Sequence, residues 1–215
     1  AQPMSSPSGE LVLSFNGEIY NYVELRAELA TKGRHFRSES DTEVLLQAYD
    51  EWGEGCVEKF NGMWSFAILD KRNNRLFCSR DRFGEKPFYF LQQKDGFYFG
   101  SEIRQLLPMC EARTANRDLL NRFLLGVVGE DIANTFFKGI EKLPAGHNLT
   151  FDIAAHRFKI TRYFELGFDV DVAKASFDEN LERFKDLFED AVAIRMRSDV
   201  KVGTCLSGGL DSTSI

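Results

Sequence analysis

Alternating apolar and polar positions predict a β-strand near the start of the chain. Leu11, Leu13 and Phe15 alternate with Val12 and Ser14, which is the period of a strand with one buried face. The pair Asn16-Gly17 comes next and, taken by itself, favours a tight turn that ends the strand.

Two helices are predicted after this strand. Asn21 and Glu24 have the spacing of an N-terminal capping box, and Gly33 ends the apolar helical pattern behind them. The same arrangement recurs with Ser40 and Glu43 at the start of a second helical pattern. Both helices are expected to pack on the sheet.

The middle of the chain is dominated by predicted strands. Residues 63–70 are apolar at odd and even positions alike, which is typical of a strand buried on both faces. Residues 76–80 form a second strand, and Asp95-Gly96 separates two aromatic runs as in a β-hairpin. With a last strand at 149–151, the pattern predicts an α+β fold with helices packed on stacked sheets.

The C-terminal part predicts a new domain. Residues 162–175 have the composition of a linker, and Ser176 and Glu179 then form a capping box before the strongest helical pattern of the chain. A buried strand is predicted over residues 200–206, running into a Ser-Gly-Gly loop. Helix, strand and glycine loop in this order are typical of an α/β domain.

Composition narrows the classes of function. The 215 residues carry a formal net charge of −6 with Lys and Arg scattered, so nucleic acid and anionic membrane surfaces are not expected partners. No apolar run approaches the length needed to cross a bilayer. The four cysteines are widely spaced and lie far from the three histidines, which argues against a metal cluster or a disulfide framework. A cytoplasmic setting is therefore expected.

The loop from Ser207 to Ser212 predicts a phosphate site. Its two glycines let backbone N–H groups approach an anion where a strand gives way to a helix. Asp211 would repel a phosphate unless a cation lies between them, which indicates Mg²⁺. No Lys follows the second glycine, so this is not the Walker pattern; the simpler alternative is a Ser/Gly turn.

Polar groups also cluster where the first strand ends. The carboxamide of Asn16 can donate to an oxyanion, the backbone of Gly17 allows close approach, and Glu18 can bind an ammonium group. Asp41, at the start of the second helix, is another acceptor for an amine. The alternatives are a plain turn for Asn16-Gly17 and helix-start electrostatics for Asp41.

These motifs resemble the site motifs of the two domains found in one enzyme family. Residues 16–21, Asn-Gly-Glu-Ile-Tyr-Asn, are similar to the glutamine site of class II amidotransferases, in the version of the glutamine-hydrolysing asparagine synthetases. Residues 207–212 are similar to the pyrophosphate loop of ATP pyrophosphatases. The similarity continues through residues 62–67, 80–87, 100–103 and 142–146.

The resemblance implies two domains. Residues 1–161 would form a glutaminase domain, a partial αββα sandwich of the N-terminal-nucleophile hydrolase type. Residues 162–215 would contain the linker and the start of an ATP-binding α/β domain.

The resemblance also implies site residues. Asn16 and Gly17 would help form the oxyanion hole, and Glu18 and Asp41 would bind the α-amino end of glutamine. Asp211 would hold Mg²⁺. The residues implied at the ATP site are Cys205, Leu206, Ser207, Gly208, Gly209, Asp211 and Ser212.

The parent enzyme would release ammonia from glutamine and use ATP and Mg²⁺ to activate aspartate, giving asparagine, AMP and pyrophosphate. The family's nucleophile is an N-terminal Cys, whereas position 1 is Ala, and no Arg stands ahead of Asn16 to hold the glutamine carboxylate. We expect both in a segment upstream, so that the chain is a fragment with no catalytic residue of its own. For residues 80–86 the alternating charges favour an ion-pair network.

Three alternatives stay open from the sequence. The first is a ligase of the same build that acts on another carboxylate, and the second is a non-catalytic binding relative without the nucleophile. The third is a stand-alone glutaminase, which the loop at 207–212 disfavours. The acceptor and the oligomeric state are also open, a homodimer being one option.

Overall fold

The computed structural model describes residues 2–127, 133–198 and 201–215. The chain divides into two compact units, Ala1–Glu165 and Leu166–Ile215.

The first unit is built on two antiparallel sheets. A six-stranded sheet has the order β1-β2-β3-β4-β8-β9, and a three-stranded sheet has the order β6-β5-β7. The strands are β1 Met4–Ser5, β2 Leu11–Ile19, β3 Gly62–Asp70, β4 Arg75–Arg80, β5 Tyr89–Gln93, β6 Gly96–Gly100, β7 Ile140–Lys142, β8 His147–Asp152 and β9 Arg157–Arg162.

Helices accompany the sheets in the first unit and make up the regular structure described in the second. Those of the first unit are α1 Tyr22–Thr31, α2 Asp41–Trp52, α3 Cys56–Lys59, α4 Ile103–Leu106 and α5 Arg117–Leu124. Those of the second unit are α6 Val170–Lys174, α7 Phe177–Arg195 and α8 Leu210–Ser214.

Three apolar clusters separate the layers of the first unit. The first joins α1 and α2 to one face of the large sheet, the second fills the space between the two sheets, and the third joins the far face of the small sheet to α4. Helix, sheet, sheet and helix thus follow one another, which confirms the predicted αββα sandwich. Representative members are Leu13, Val44 and Phe66 in the first cluster, Cys78, Phe90 and Leu149 in the second, and Leu91, Leu106 and Ile140 in the third.

The centre of the large sheet agrees with the predicted pattern. Strand β3 is buried on both faces because Phe66 points to the helical layer while Ala67 faces the small sheet. The hairpin is also confirmed, but its turn lies one residue earlier than predicted: Lys94 and Asp95 form it, and Gly96 already belongs to β6 and pairs with Gln93.

The first strand and helix differ in detail from the prediction. Strand β2 does not end at Asn16-Gly17 but continues to Ile19, paired with β3 throughout. Helix α1 begins after Asn21, yet the side chain of Asn21 caps no helix amide, so the predicted capping box is wrong. Its amide group instead donates to Lys59 O at 2.9 Å and accepts from Asn61 N at 2.9 Å.

Several short elements are not predicted by the sequence patterns. Strands β1, β7 and β9 were not predicted, and α6 lies in the stretch assigned to a linker. Strand β9 pairs with β8 along its whole length, from His147 opposite Arg162 to Asp152 opposite Arg157. Phe158 and Ile160 do alternate with Arg157 and Lys159, but two apolar positions are too few to identify a strand by their period.

In the second unit the helix is confirmed and the strand is not. Ser176 and Glu179 form the reciprocal capping box at the start of α7. Val200 lies outside the described residues, and residues 201–207 form no strand, with Val202 42% and Leu206 73% exposed. A strand needs a neighbour for its backbone hydrogen bonds, and the described part of this unit contains helices alone.

Candidate functional site

The polar end of β2 is held in tight register by β3. Asn16, Gly17 and Glu18 lie opposite Ser65, Trp64 and Met63. Gly17 has φ +154°, and a Cβ there would overlap the carbonyl oxygen of Met63 and lie 2.7 Å from Trp64 Cα. Position 17 therefore needs glycine because the neighbouring strand covers it, and not because the chain turns there.

Gly62 makes the reciprocal contact on β3. A Cβ at this position would overlap the carbonyl oxygen of Glu18 and lie 3.0 Å from Ile19 Cα. The two strands thus approach closely at both glycines, which fixes the backbone that carries Asn16 and Glu18.

Asn16 faces the space between the two sheets. Its Nδ2 donates to Ser101 Oγ at 3.0 Å, just beyond the end of β6. Both residues line a cleft of about 370 Å³ whose walls include Ser65, Phe66 and Phe99. The side chain of Asn16 is exposed, so it is accessible to a ligand that enters the cleft.

Asp41 is brought to the same end of the sheet from α2. Ser40 caps this helix, because its hydroxyl accepts from Thr42 N at 3.1 Å, and Asp41 is the first helical residue. Asp41 Oδ2 accepts from Ile19 N at 3.0 Å, which places its carboxylate beside the residue that follows Glu18. The structure therefore brings Asp41 to the backbone at the end of β2, one residue from Glu18, while neither Glu18 nor Asp41 lines the cleft at Asn16.

The loop before Asp41 is held by a buried carboxylate. Glu43 does not complete a capping box with Ser40; its oxygens accept from the amides of Arg37 and Ser38 and from the Ser38 hydroxyl, at 2.7–3.1 Å. Burial by itself would raise the pKa of Glu43, but the bonds from Ser38 and Arg37 and the charge of Arg26 hold it below its ordinary value.

The charged segment after β4 is not an ion-pair network. Among the described residues, no ion pair joins any two of residues 80–86. Arg80, 9% exposed, donates to the carbonyl oxygens of Lys86, Leu143 and Gly84 at 2.7, 2.9 and 2.6 Å. Burial lowers the pKa of its guanidinium. The prediction of ion pairs was wrong because Arg80 binds backbone carbonyl oxygens of the loop and of Leu143, and not a carboxylate.

Asp81 organises the other half of this loop. Its carboxylate accepts from the amides of Phe83, Glu85 and Lys86 at 2.9–3.1 Å and from Trp64 N at 3.3 Å. Trp64 lies opposite Gly17, so the loop is tied to the strand that backs the candidate site. The run of charges at 80–86 is visible in the sequence, whereas the role of Asp81 as an acceptor for the loop amides is not.

The glycine loop of the second unit forms a small polar turn. Ser207 Oγ lies 2.9 Å from Ser212 Oγ, and Gly208 has φ +80°. Gly209 precedes α8, whose first turn contains the exposed Asp211. Cys205 and Leu206 are exposed ahead of the loop.

The described residues contain no group of three or more His, Cys, Asp or Glu side chains placed to hold a metal ion. None of their helices is both long enough and apolar enough to span a membrane.

Family models match both parts of the chain. Residues 1–164 match the family described as glutamine amidotransferase domain, and residues 183–215 match the family described as asparagine synthase.

Similar curated proteins are named glutamine-hydrolysing asparagine synthetases. The glutamine-hydrolysing asparagine synthetase 3 of Bacillus subtilis strain 168 is 42% identical over 94% of this chain and 32% of its own length. A putative glutamine-hydrolysing asparagine synthetase 2 of Methanocaldococcus jannaschii is 40% identical over 96% of this chain and 39% of its own length. The chain thus spans about a third of the length of these relatives.

Solved structures agree on the fold. Glutamine phosphoribosylpyrophosphate amidotransferase from B. subtilis, in complex with ADP and GMP, superimposes with a TM-score of 0.53 at 19% identity, covering 77% of this chain and 32% of the other. At this identity the likeness concerns the fold alone. The match of residues 1–164 covers more than half of the sequence, and on that ground the chain belongs to the glutamine amidotransferase domain family.

Proposed function

We propose that this chain is the glutamine-binding part of a glutamine-hydrolysing asparagine synthetase. The observation that carries the proposal is the convergence of Asn16, Gly17, Glu18 and Asp41 at one end of β2, with Asp41 fixed 3.0 Å from Ile19 N. The names of the relatives and the asparagine synthase match over residues 183–215 support the same activity.

The spacing of the polar groups suits glutamine. Asn16 and Glu18 are two positions apart on a strand and share a face, about 6.7 Å from each other along it. In an extended glutamine, four bonds and about 5 Å separate the amide carbon from the α-nitrogen. The amide of the ligand can therefore lie at Asn16 while its ammonium group lies near Glu18.

Each side chain then has a chemical task. The Asn16 carboxamide and the Gly17 backbone would stabilise the oxyanion that develops on the amide carbon. Glu18 and Asp41 would bind the α-ammonium group, and the half-buried position of Asp41 strengthens that interaction relative to a fully solvated one.

The nucleophile in this proposal is an N-terminal Cys upstream of Ala1. Cys56 and Cys78 are unsuited to the task, since burial raises the pKa of both thiols and keeps them protonated. An Arg for the glutamine carboxylate is proposed in the same upstream segment.

The second unit would contribute to an ATP site. We assign the phosphates to residues 207–212, where the positive φ of Gly208 and the hydroxyls of Ser207 and Ser212 fit an anion. Asp211 would hold Mg²⁺ together with phosphate oxygens, a donor set that this ion accepts without a protein cage. Cys205 and Leu206, exposed just ahead, would lie along the nucleotide. Bound ATP would supply the activation of the aspartate carboxylate.

The wider assignments follow from this function. Residues 1–161 would act as the glutaminase domain and residues 162–215 as the linker and the start of the synthetase domain, in a cytoplasmic enzyme. Glutamine, aspartate and ATP would be its substrates.

The test uses the full-length protein with two nitrogen donors. E18Q and D41N are each expected to raise KM for glutamine about tenfold or more, because each removes a charge from the ammonium site. Synthesis from free ammonia should be unchanged, since it bypasses this site. The exposed Glu111 offers a matched control, E111Q, which should match the wild type with both donors.

Two results would change the assignment. A full-length protein that releases no ammonia from glutamine would remove the glutaminase function. Ammonia release without pyrophosphate formation on aspartate would point to another carboxylate acceptor.

A further inference from the structure

Ser101 holds the Asn16 side chain from the opposite sheet. The two residues are 85 positions apart, and the bond from Asn16 Nδ2 to Ser101 Oγ, 3.0 Å long, links the end of β2 with the segment between β6 and α4. Both residues line the same cleft.

The backbone around Ser101 is fixed on both sides. Before it, Gly100 ends β6 and pairs with Tyr89. After it, Glu102 and Gln105 form the capping box of α4, in which Glu102 N donates to Gln105 Oε1 at 3.0 Å. The backbone that carries Ser101 is therefore held by the sheet on one side and by the start of α4 on the other.

A carboxamide benefits from such a partner because its two ends are nearly the same size but opposite in function. The NH₂ group donates two hydrogen bonds, whereas the carbonyl oxygen only accepts. When Ser101 accepts one hydrogen of Asn16 Nδ2, the other hydrogen stays free for a ligand in the cleft. A serine hydroxyl could also donate to a carboxamide turned the other way, which would present an oxygen and repel a developing oxyanion. The pairing of Nδ2 with Oγ found in the structure is the arrangement that leaves an N–H for the ligand.

We infer that Ser101 is a positioning residue that orients the Asn16 carboxamide for oxyanion stabilisation during glutamine hydrolysis. This inference rests on the proposed function, because it takes Asn16 as the oxyanion donor. It adds a residue that directly follows strand β6 of the small sheet and lies outside the glutamine-site motif at 16–21.

Kinetics of the full-length protein separate this role from a structural one. Loss of an oxyanion donor costs about 10²–10³ in kcat, and S101A, which leaves the donor present but free to rotate, is expected to cost roughly tenfold. KM for glutamine should change less than about twofold, because the ammonium site is untouched. S101T keeps the hydroxyl and should restore kcat, while S5A, at an exposed position of β1, should match the wild type.

A second measurement follows the carboxamide itself. In ¹⁵N-labelled protein, the side-chain NH₂ resonances of Asn16, assigned through N16A, should shift in S101A and return in S101T. Thermal midpoints of the variants show whether a loss of kcat reflects unfolding.

The outcomes are distinct. In an active protein, S101A with wild-type kcat, a loss not restored by S101T, or unmoved Asn16 resonances would overturn the role of Ser101 alone. A wild-type protein without glutamine hydrolysis would overturn the proposed function, and the NMR arm would then still decide whether Ser101 orients Asn16.

Discussion

The carboxylate of Asp41 accepts a hydrogen bond from the backbone amide of Ile19 at 3.0 Å, across 22 positions of the sequence. This bond joins the first residue of α2 to the last residue of β2. It explains how a helix start and a strand end form one polar cluster.

Two substitutions at Asp41 should separate stability from ligand binding. D41A removes the acceptor of the Ile19 amide and is expected to cost about 1–2 kcal/mol of unfolding free energy. D41N retains an acceptor oxygen and should cost less than about 1 kcal/mol, although it removes the charge. Urea denaturation of both variants checks the order, and equal losses would contradict it.

G17A should be among the most damaging small substitutions in the chain. The added methyl group would overlap the Met63 carbonyl, and the paired strand cannot move without breaking the sheet, so we expect a loss of about 3 kcal/mol or more. G55A is the control, because a Cβ at Gly55 meets nothing within 4 Å and its φ is not positive. Denaturant midpoints measure both, and a mild effect of G17A would contradict the tight register described here.

Glu43 should give the loop before Asp41 a pH dependence. The pKa of Glu43 is lowered from its ordinary value of 4.5, so its stabilisation is complete above that value and is lost as the pH falls through the lower pKa of the folded state. E43Q should therefore be less stable than wild type at pH 7, and the difference should shrink below about pH 4.5.

E39Q provides the comparison for Glu43. Glu39 is a neighbouring carboxylate whose side chain is 93% exposed and forms a surface ion pair with Arg26 at 3.2 Å, a kind of contact that contributes little to stability. Its replacement should change stability by less than about 0.5 kcal/mol at any pH. Thermal unfolding of both variants between pH 3 and pH 7, roughly the range in which carboxylates titrate, measures the effect. A constant difference for E43Q across this range would refute the role of the buried charge.

R80K tests the loop after β4. A lysine ammonium group cannot reproduce the fork by which Arg80 reaches Gly84, Lys86 and Leu143, so we expect a loss of about 2–4 kcal/mol. R157K, at an exposed position of β9, should be neutral within about 0.5 kcal/mol. Denaturant unfolding measures both variants. Comparable unfolding midpoints for R80K and R157K would show that the three carbonyl contacts contribute little to stability.

Strong periodic patterns were sufficient to predict the larger elements. Helix α7 was foreseen because its apolar residues repeat one period over many residues, and strand β3 because its run of apolar residues is nearly unbroken. The hairpin was foreseen from the residues near its turn. Strands β7 and β9 were missed because their stability comes from pairing with β5 and β8, which local sequence does not reveal.

The candidate site was foreseen in part for a similar reason. The residue types at 16–18 and 41 indicated the chemistry, but the pair Asn16-Gly17 was taken by itself for a turn, whereas Gly17 serves a contact with Met63 in another strand. Ser101 and the role of Asp81 depend on contacts over long distances in sequence. The strand predicted near Val202 did not form, since the described part of Leu166–Ile215 offers it no neighbouring strand.

The surface of α7 has a practical consequence for work with this chain. Phe177, Phe184 and Leu187 are each at least 60% exposed on a helix with charged neighbours. Exposed apolar surface of this kind binds chaperones and promotes self-association as the protein concentration rises. A recombinant piece that stops at Glu165 should accordingly remain monodisperse in size-exclusion chromatography at concentrations where the longer chain elutes early.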